Sequence, residues 1–230
     1  MTGPLSVDRL SLATREGPVF TDVSFVLEPG RLGVLVGASG QGRSALLLAV
    51  TGRMRGTTGA VRLGRHGAAT RPKDLRAVTS VARLATLVEP EGQLSVAESI
   101  TERALLDGVR VAEATAAVAR AEGVLGLRFG RERLVDDLGA YERSLLCVAL
   151  ALVRPAELVV LDDADRSLDL YDQERLLAAL VRLCDTGPTV LAATTEAVAV
   201  PPGAVVIPLE RPGDDAADSS PADSTPTDEK

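Results

Sequence analysis

The chain has few aromatic residues and almost no lysine. Aromatic side chains make up 2% of its 230 residues, and tryptophan is absent. A protein that binds single-stranded nucleic acid needs rings on which bases can stack, so this composition argues against that class. Only two of the 25 basic residues are lysine, Lys73 and Lys230, so nearly all positive charge belongs to arginine.

The chain also has little net charge outside its last twenty residues, few cysteines and no long apolar run. The formal net charge is −7, but residues 211–230 contribute six acids and two bases. The remainder is close to neutral, which gives no electrostatic footprint for nucleic acid. Cys147 and Cys184 lie in apolar helical patterns and are typical of reduced core residues in a cytosolic protein. The longest apolar run, 145–153, is half the length of a membrane span, and no signal peptide is expected.

Residues 32–50, LGVLVGASGQGRSALLLAV, contain the most informative pattern. An apolar strand-like run ends at a loop with three glycines, and a helix-like segment follows. This is the P-loop pattern G-x-x-x-x-G-K-[ST], in which backbone N–H groups and a helix N-terminus surround phosphate. The predicted nucleotide-binding residues are Gly37, Ala38, Ser39, Gly40, Gln41, Gly42, Arg43, Ser44 and Ala45.

Arg43 stands where the P-loop pattern has lysine. Lysine is a compact point charge that reaches the β- and γ-phosphates, whereas arginine is longer and planar. A guanidinium can still neutralise phosphate, so binding could survive while catalytic geometry suffers. The alternative is that Arg43 faces solvent on the helix of a fold that binds nothing.

A second acidic element supports the P-loop interpretation. Residues 158–161 form a continuous apolar run, typical of a buried parallel strand, and Asp162 and Asp163 follow it directly. Ligands of open α/β sheets collect at this strand end. Ser44 and Asp162 are therefore predicted to hold Mg²⁺, and Asp163 to lie beside the γ-phosphate. The alternative is a solvated acidic turn.

Apolar periodicity predicts an α/β fold: a P-loop NTPase core with a mixed, mainly parallel sheet, an N-terminal antiparallel β region and a helical insertion. Strands are predicted at 6–13, 23–27, 31–36, 59–63, 81–88, 158–161, 189–193 and 204–208. Helices are predicted at 43–53, 96–106, 111–125, 145–153 and 171–184. We expect one domain over 1–210, a helical subdomain at about 90–155, and a disordered acidic tail over 211–230 rich in proline and serine.

The ordered set of motifs resembles the nucleotide-binding subunits of ATP-binding cassette (ABC) transporters. Residues 37–44 match the Walker A loop and 158–163 match Walker B. Further matches are the segment after the glutamine loop at 94–100, the D-loop at 167–169 and the switch strand at 190–196. A P-loop alone occurs in many nucleotide hydrolases, but this order of motifs is specific to cassettes.

Several family residues are replaced. The signature element is LGAYER at 138–143, so the serine and glycines that approach phosphate are missing and Tyr141 is bulky. Thr195 occupies the switch-histidine position and cannot become cationic. Asp163 stands for the catalytic glutamate and is shorter by about 1.5 Å. Either Glu89 or Gln93 corresponds to the glutamine of the glutamine loop.

The resemblance implies ATP and Mg²⁺ as cofactors, with Asp163 and Thr195 at the catalytic positions. It also implies a dimer of cassette domains, homo- or hetero-, and a separately encoded transmembrane protein at the inner face of the cell membrane, with no nucleic acid. Because catalytic motifs are degenerate, we expect weak or partner-dependent ATP hydrolysis. The alternative is a non-hydrolysing pseudo-ATPase that serves as a nucleotide sensor or scaffold for a membrane partner.

Overall fold

The computed structural model describes residues 3–64, 70–84 and 87–210. The predicted tail lies outside this range. The strands are β1 Leu5–Thr14, β2 Gly17–Leu27, β3 Leu32–Val36, β4 Thr57–Leu63, β5 Thr79–Arg83, β6 Leu158–Leu161, β7 Thr189–Thr194 and β8 Val205–Pro208. The helices are α1 Arg43–Val50, α2 Pro72–Val78, α3 Val96–Asp107, α4 Val111–Leu125, α5 Ala140–Ala151 and α6 Leu170–Cys184.

Three N-terminal strands form an antiparallel sheet in the order β2-β1-β4. Strand β1 is central, and its Leu5 pairs with Leu27 on one side and Leu63 on the other. Alternate residues of β1 are buried against α1, whose Leu46 belongs to the same apolar cluster. Phe20 of β2 is fully buried in this cluster, so it is a core residue.

The larger sheet is parallel, in the order β5-β6-β7-β3-β8. All residues of β6 and β7 are buried, as expected for central strands covered on both faces. Only β7 separates β3 from β6. Because carboxyl ends of parallel strands share one edge, the loop after β3 and the acids after β6 meet there. The predicted α/β fold with a parallel core sheet and an antiparallel β region is confirmed.

The helices α3, α4 and α5 form the helical part of the fold and share an apolar cluster with α6. Residues 144–151 of α5 are all buried, so this helix has apolar neighbours around most of its circumference. It begins at Ala140 rather than at the predicted 145. The Gly139 amide donates to the Glu142 carboxylate at 3.1 Å, which caps a first turn that lacks the apolar pattern.

The structure also differs from the prediction at α1, which ends at Val50 rather than 53, and at β2, residues 81–88 and α2. Strand β2 begins at Gly17, whereas the prediction began it at 23. The prediction missed the first part of the strand because that part is half exposed and carries polar residues. The predicted strand 81–88 is not continuous: β5 ends at Arg83, and Leu84 forms an antiparallel bridge with Val88, while residues 85–86 lie outside the described residues. Helix α2 was missed because Leu75 is its only buried residue, which leaves no apolar period to detect.

Glu122 provides a stability test for the helical part. This buried carboxylate accepts from both terminal nitrogens of Arg131, at 2.7 and 2.9 Å, and from the Phe129 amide at 2.9 Å. Burial opposes ionisation, but these donors outweigh it and lower the pKa of Glu122. Its stabilisation is therefore present above the unfolded pKa of about 4.3 and lost as pH falls through the lower folded value.

We expect Glu122→Gln to lower the free energy of unfolding by about 2 kcal/mol at neutral pH, because Arg131 loses its counter-charge. The difference should shrink below about pH 4, where wild-type Glu122 also becomes protonated. Urea unfolding at several pH values measures both effects. Glu113→Gln is the control, since Glu113 forms an exposed ion pair with Arg110 and should matter little. A penalty that does not change with pH would contradict the assignment.

Candidate functional site

The loop between β3 and α1 contains two glycines in the left-handed region of backbone conformation. Gly40 and Gly42 have positive φ angles of 81° and 87°, a region that side chains disfavour. A Cβ on Gly42 would lie 2.8 Å from the Val19 carbonyl oxygen, so only glycine fits there. No side chain caps the N-terminus of α1, so its first amides face the loop without an internal carboxylate or hydroxyl.

The side chain of Gln41 folds back onto the backbone of this loop. Its Oε1 accepts from the Ala38 amide at 2.6 Å, and a Cβ on Gly37 would lie 2.7 Å from the same oxygen. The Gln41 carboxamide therefore satisfies the Ala38 amide from within the loop. The sequence pattern identifies Gln41 as a loop residue but contains no signal for this contact.

Ser44 and Asp162 meet where α1 approaches the end of β6. The Ser44 hydroxyl donates to Asp162 Oδ2 at 2.5 Å, and the Asp163 amide donates to Asp162 Oδ1 at 3.0 Å. Asp162 is fully buried. Burial raises its pKa, the Ser44 hydrogen bond opposes this, and the Asp163 charge adds to the rise. The paired oxygens are where the sequence places Mg²⁺.

The pair fits a magnesium ion that also binds nucleotide phosphates. Magnesium commonly takes one or two protein oxygens and completes its shell with water and phosphate oxygens. Over the ranges that the structure describes, no group of three or more His, Cys, Asp or Glu side chains could hold a metal. A site built from Ser44 and Asp162 would therefore depend on the phosphates for its remaining ligands.

Arg43 is buried, so the solvent-facing alternative for it is wrong. The residue is 7% exposed, and its Nη2 donates to Asp163 Oδ1 at 3.0 Å. Its Nη1 is buried without a hydrogen-bond partner. Such a group is costly unless something accepts its protons. Asp163 also has a φ of 46°, in the left-handed region that few non-glycine residues adopt.

Sequence reasoning missed Arg83, at the end of β5. This side chain is 3% exposed and donates to the carbonyl oxygens of Asp162 and Asp163, at 3.1 and 2.5 Å. It also donates to Ser144 Oγ on α5 at 3.0 Å. Arg83 thus fixes the backbone that carries both acids and connects it to the helical part. The available signal was an arginine within the mostly apolar run 81–88 that was predicted as a strand.

Thr195 lies beside this cluster and has its own partner. Its amide donates to Asp165 Oδ2 at 2.7 Å, and its hydroxyl donates to the same oxygen. Asp165 is partly desolvated, yet these bonds lower its pKa. The structure therefore brings Arg43, Ser44, Asp162 and Asp163 together, while the Thr195 hydroxyl is bound to Asp165.

The remaining motif positions also have internal contacts. Glu89 accepts from Arg166, three residues after Asp163, at 3.0 Å, whereas Gln93 donates to Asp136 at 2.9 Å. Of the two alternatives for the glutamine-loop residue, Glu89 is thus the one that contacts the segment after β6. In the signature segment, the Tyr141 ring lies 4.1 Å from the Arg175 guanidinium, a cation–π contact.

Comparison with protein families agrees with this arrangement. The model of the ABC transporter family matches residues 20–166, more than half of the chain. The chain belongs to the ABC transporter family. Within this cassette, the matched range includes the loop before α1 and both acids after β6.

Curated relatives are ATP-binding components of transporters. The cassette is 31% identical over 188 residues to the ABC transporter ATP-binding protein SCO5958 of Streptomyces coelicolor, covering 80% of this chain and 66% of that one. It is 30% identical to the cobalt import ATP-binding protein CbiO of Rhodobacter capsulatus, covering 84% and 70%. It is 31% identical to the mycobactin import ATP-binding/permease protein IrtB of Mycolicibacterium smegmatis, but spans 31% of that protein.

Solved structures show the same fold. CbiO1 from Clostridium perfringens, part of the transporter complex CbiONQ, superposes with a TM-score of 0.67 at 19% identity. The match covers 84% of this chain and 78% of that one. In the described part of the cassette, no helix is both long enough and apolar enough to cross a membrane.

Arg83 can be tested through stability. Replacing it with methionine keeps an unbranched apolar stem but leaves two carbonyl oxygens and the Ser144 hydroxyl without their donor. We expect Arg83→Met to lower the free energy of unfolding by about 3 kcal/mol. Arg71→Met, which removes an exposed ion pair with Asp74, should have little effect. Urea unfolding compares the two, and equal losses would refute a special role for Arg83.

Proposed function

We propose that this cassette is the ATP-binding subunit of a membrane transporter and binds Mg-ATP at the edge formed by β3 and β6. One observation carries the proposal: the Ser44–Asp162 hydrogen bond lies beside the buried, incompletely paired guanidinium of Arg43. A hydroxyl, a carboxylate and a spare cationic donor at one loop suit a magnesium–polyphosphate ligand. Relatives named as ATP-binding proteins of importers support the same function.

Each proposed role follows from a group that the site offers. The backbone amides of residues 37–45 and the N-terminus of α1 would surround the phosphates. Arg43 Nη1 would supply a donor to a phosphate oxygen. Ser44 and Asp162 would hold Mg²⁺, which when bound neutralises phosphate charge. Gln41 would rotate away from the Ala38 amide as the anion enters.

We propose that hydrolysis is weak or depends on a partner. Asp163 would have to orient water, but its carboxylate is shorter than glutamate and already binds Arg43. Misplacing such a group by about 1 Å can reduce the rate on the order of 100-fold. Thr195 can donate only through a hydroxyl that Asp165 already holds.

The proposed partners are a second cassette domain, identical or different, and a separately encoded transmembrane protein at the inner face of the cell membrane. CbiO1 belongs to a multi-component transporter complex, which supports this organisation by similarity. Tyr141, which stacks on Arg175 of α6, lies in the segment that in the family pattern faces the other cassette's nucleotide. A partner with an intact signature would therefore complete the nucleotide site of this chain better than a second copy would.

A second candidate function is a pseudo-ATPase that senses nucleotide or acts as a scaffold without turnover. Two internal contacts favour the pseudo-ATPase. Asp163 is hydrogen-bonded to Arg43 and Thr195 to Asp165, so both residues at the proposed catalytic positions already have partners. Steady-state ATPase activity in the presence of the membrane partner separates the two functions. Turnover that the partner stimulates and that Asp163→Asn abolishes would exclude the scaffold.

Ser44→Ala tests the metal-dependent part of the proposal. The substitution removes the hydroxyl that contacts Asp162, so the gain in ATP affinity that Mg²⁺ provides should fall by about tenfold. Affinity measured with a chelator present should change little. Isothermal titration calorimetry with and without Mg²⁺ gives both values.

Ser39→Ala is the matched control, since Ser39 is an exposed residue of the same loop and the proposal uses only its backbone amide. It should leave the magnesium effect intact. The proposed function fails if ATP releases no heat and does not bind to the wild-type chain with or without Mg²⁺. The metal assignment alone fails if both serine variants behave alike.

A further inference from the structure

The guanidinium of Arg43 has one terminal nitrogen bound and one free. Nη2 lies 3.0 Å from Asp163 Oδ1, while Nη1 is buried without a partner. The Arg43 side chain is 8% exposed and that of Asp163 is 29% exposed. Water therefore screens this ion pair only partly, and the pair neutralises the cation that the loop would otherwise present to phosphate.

Asp163 is held in position from both sides of its backbone. Its amide donates to Asp162 Oδ1 at 3.0 Å, and its carbonyl accepts from Arg83 Nη2 at 2.5 Å. Its φ angle of 46° lies in the left-handed region, so its side chain leaves the backbone in a different direction from that of an extended residue. The carboxylate is thus a fixed competitor for Arg43 rather than a mobile surface acid.

We propose that Asp163 determines the affinity of this site for polyphosphate by competing with it for Arg43. This inference rests on the proposed function. A polyphosphate that uses both terminal nitrogens of Arg43 must displace the Asp163 carboxylate from Nη2. The favourable bidentate hydrogen bonding to phosphate is offset by the loss of the internal ion pair and by repulsion between Asp163 and the ligand. Asp163 therefore weakens binding in the resting chain.

A double-mutant cycle with Mg-ADP tests this competition without interference from hydrolysis. Asp163→Asn keeps the shape, removes the charge, and suits the left-handed conformation. Arg43→Met removes the guanidinium but fills the buried space. The cycle compares wild type, D163N, R43M and the double variant by isothermal titration calorimetry. Thermal unfolding checks that each variant is folded.

We expect D163N to bind ADP about tenfold more tightly than wild type, because Arg43 is released. In the R43M background the same substitution should tighten binding less than about threefold, through reduced repulsion alone. A catalytic carboxylate with no influence on Arg43 would give the same small change in both backgrounds.

Two failures can be told apart. If ADP binds all four proteins and D163N has equal effects in both backgrounds, the competition is disproved while the proposed function stands. If ADP binds none of them, the proposed function falls as well. Should R43M be unfolded, Arg43→Gln gives a second cycle, because glutamine is neutral and polar and cannot maintain the ion pair. The same small effect of D163N is expected in that background.

Discussion

The site depends on a buried polar junction between the first turn of α1 and the end of β6. Arg43 and Ser44 reach Asp163 and Asp162, about 120 residues away in the chain, across the single strand β7. Two adjacent carboxylates at the end of a buried strand would repel each other and resist desolvation. The Arg43 cation and the Ser44 hydroxyl bind the two carboxylates, and Arg83 binds the backbone carbonyl oxygens of the same residues. Without these donors, the parallel sheet could not keep two acids at this edge.

The replaced residues at this junction are complementary in length. The family pattern has a lysine at position 43 and a glutamate at position 163. Here the longer arginine is combined with the shorter aspartate, and the two side chains meet at 3.0 Å. The composition of the chain favours arginine over lysine throughout. That preference gives no account of the shorter acid. In this chain the longer cation and the shorter anion together span the gap between the start of α1 and the end of β6.

Local features of the fold could be predicted, because the sequence expresses them within a few residues. Three features are local in this sense: the strand–glycine loop–helix unit, the buried run before Asp162, and the order of the motifs. Parallel strands then bring the loop and the acids to one edge without further information. Helix α2 could not be predicted, since one buried leucine leaves no period.

The contacts within the site could not be predicted for a different reason. Whether Arg43 faces solvent or Asp163 depends on how α1 is placed against β6, and no local pattern encodes that. No local pattern encodes the hydrogen bond from the Ala38 amide to the Gln41 carboxamide, or the one from the Thr195 amide to Asp165. Arg83 is the exception: a buried arginine in a strand must find acceptors, and carbonyl groups at a strand end are the nearest ones.

These internal contacts have a common physical consequence for ligand binding. In the resting chain, Gln41, Ser44, Asp163 and Thr195 each have a hydrogen-bond partner, so a ligand must replace bonds at these four residues. Arg43 differs, because its Nη1 is buried without a partner. Exchanging one neutral hydrogen bond for another changes the free energy little. Breaking the Arg43–Asp163 ion pair is different, because it leaves an acid next to an incoming anion. In the competition proposed above, the balance of charge at that pair, more than the shape of the loop, would therefore set how readily the site accepts phosphate.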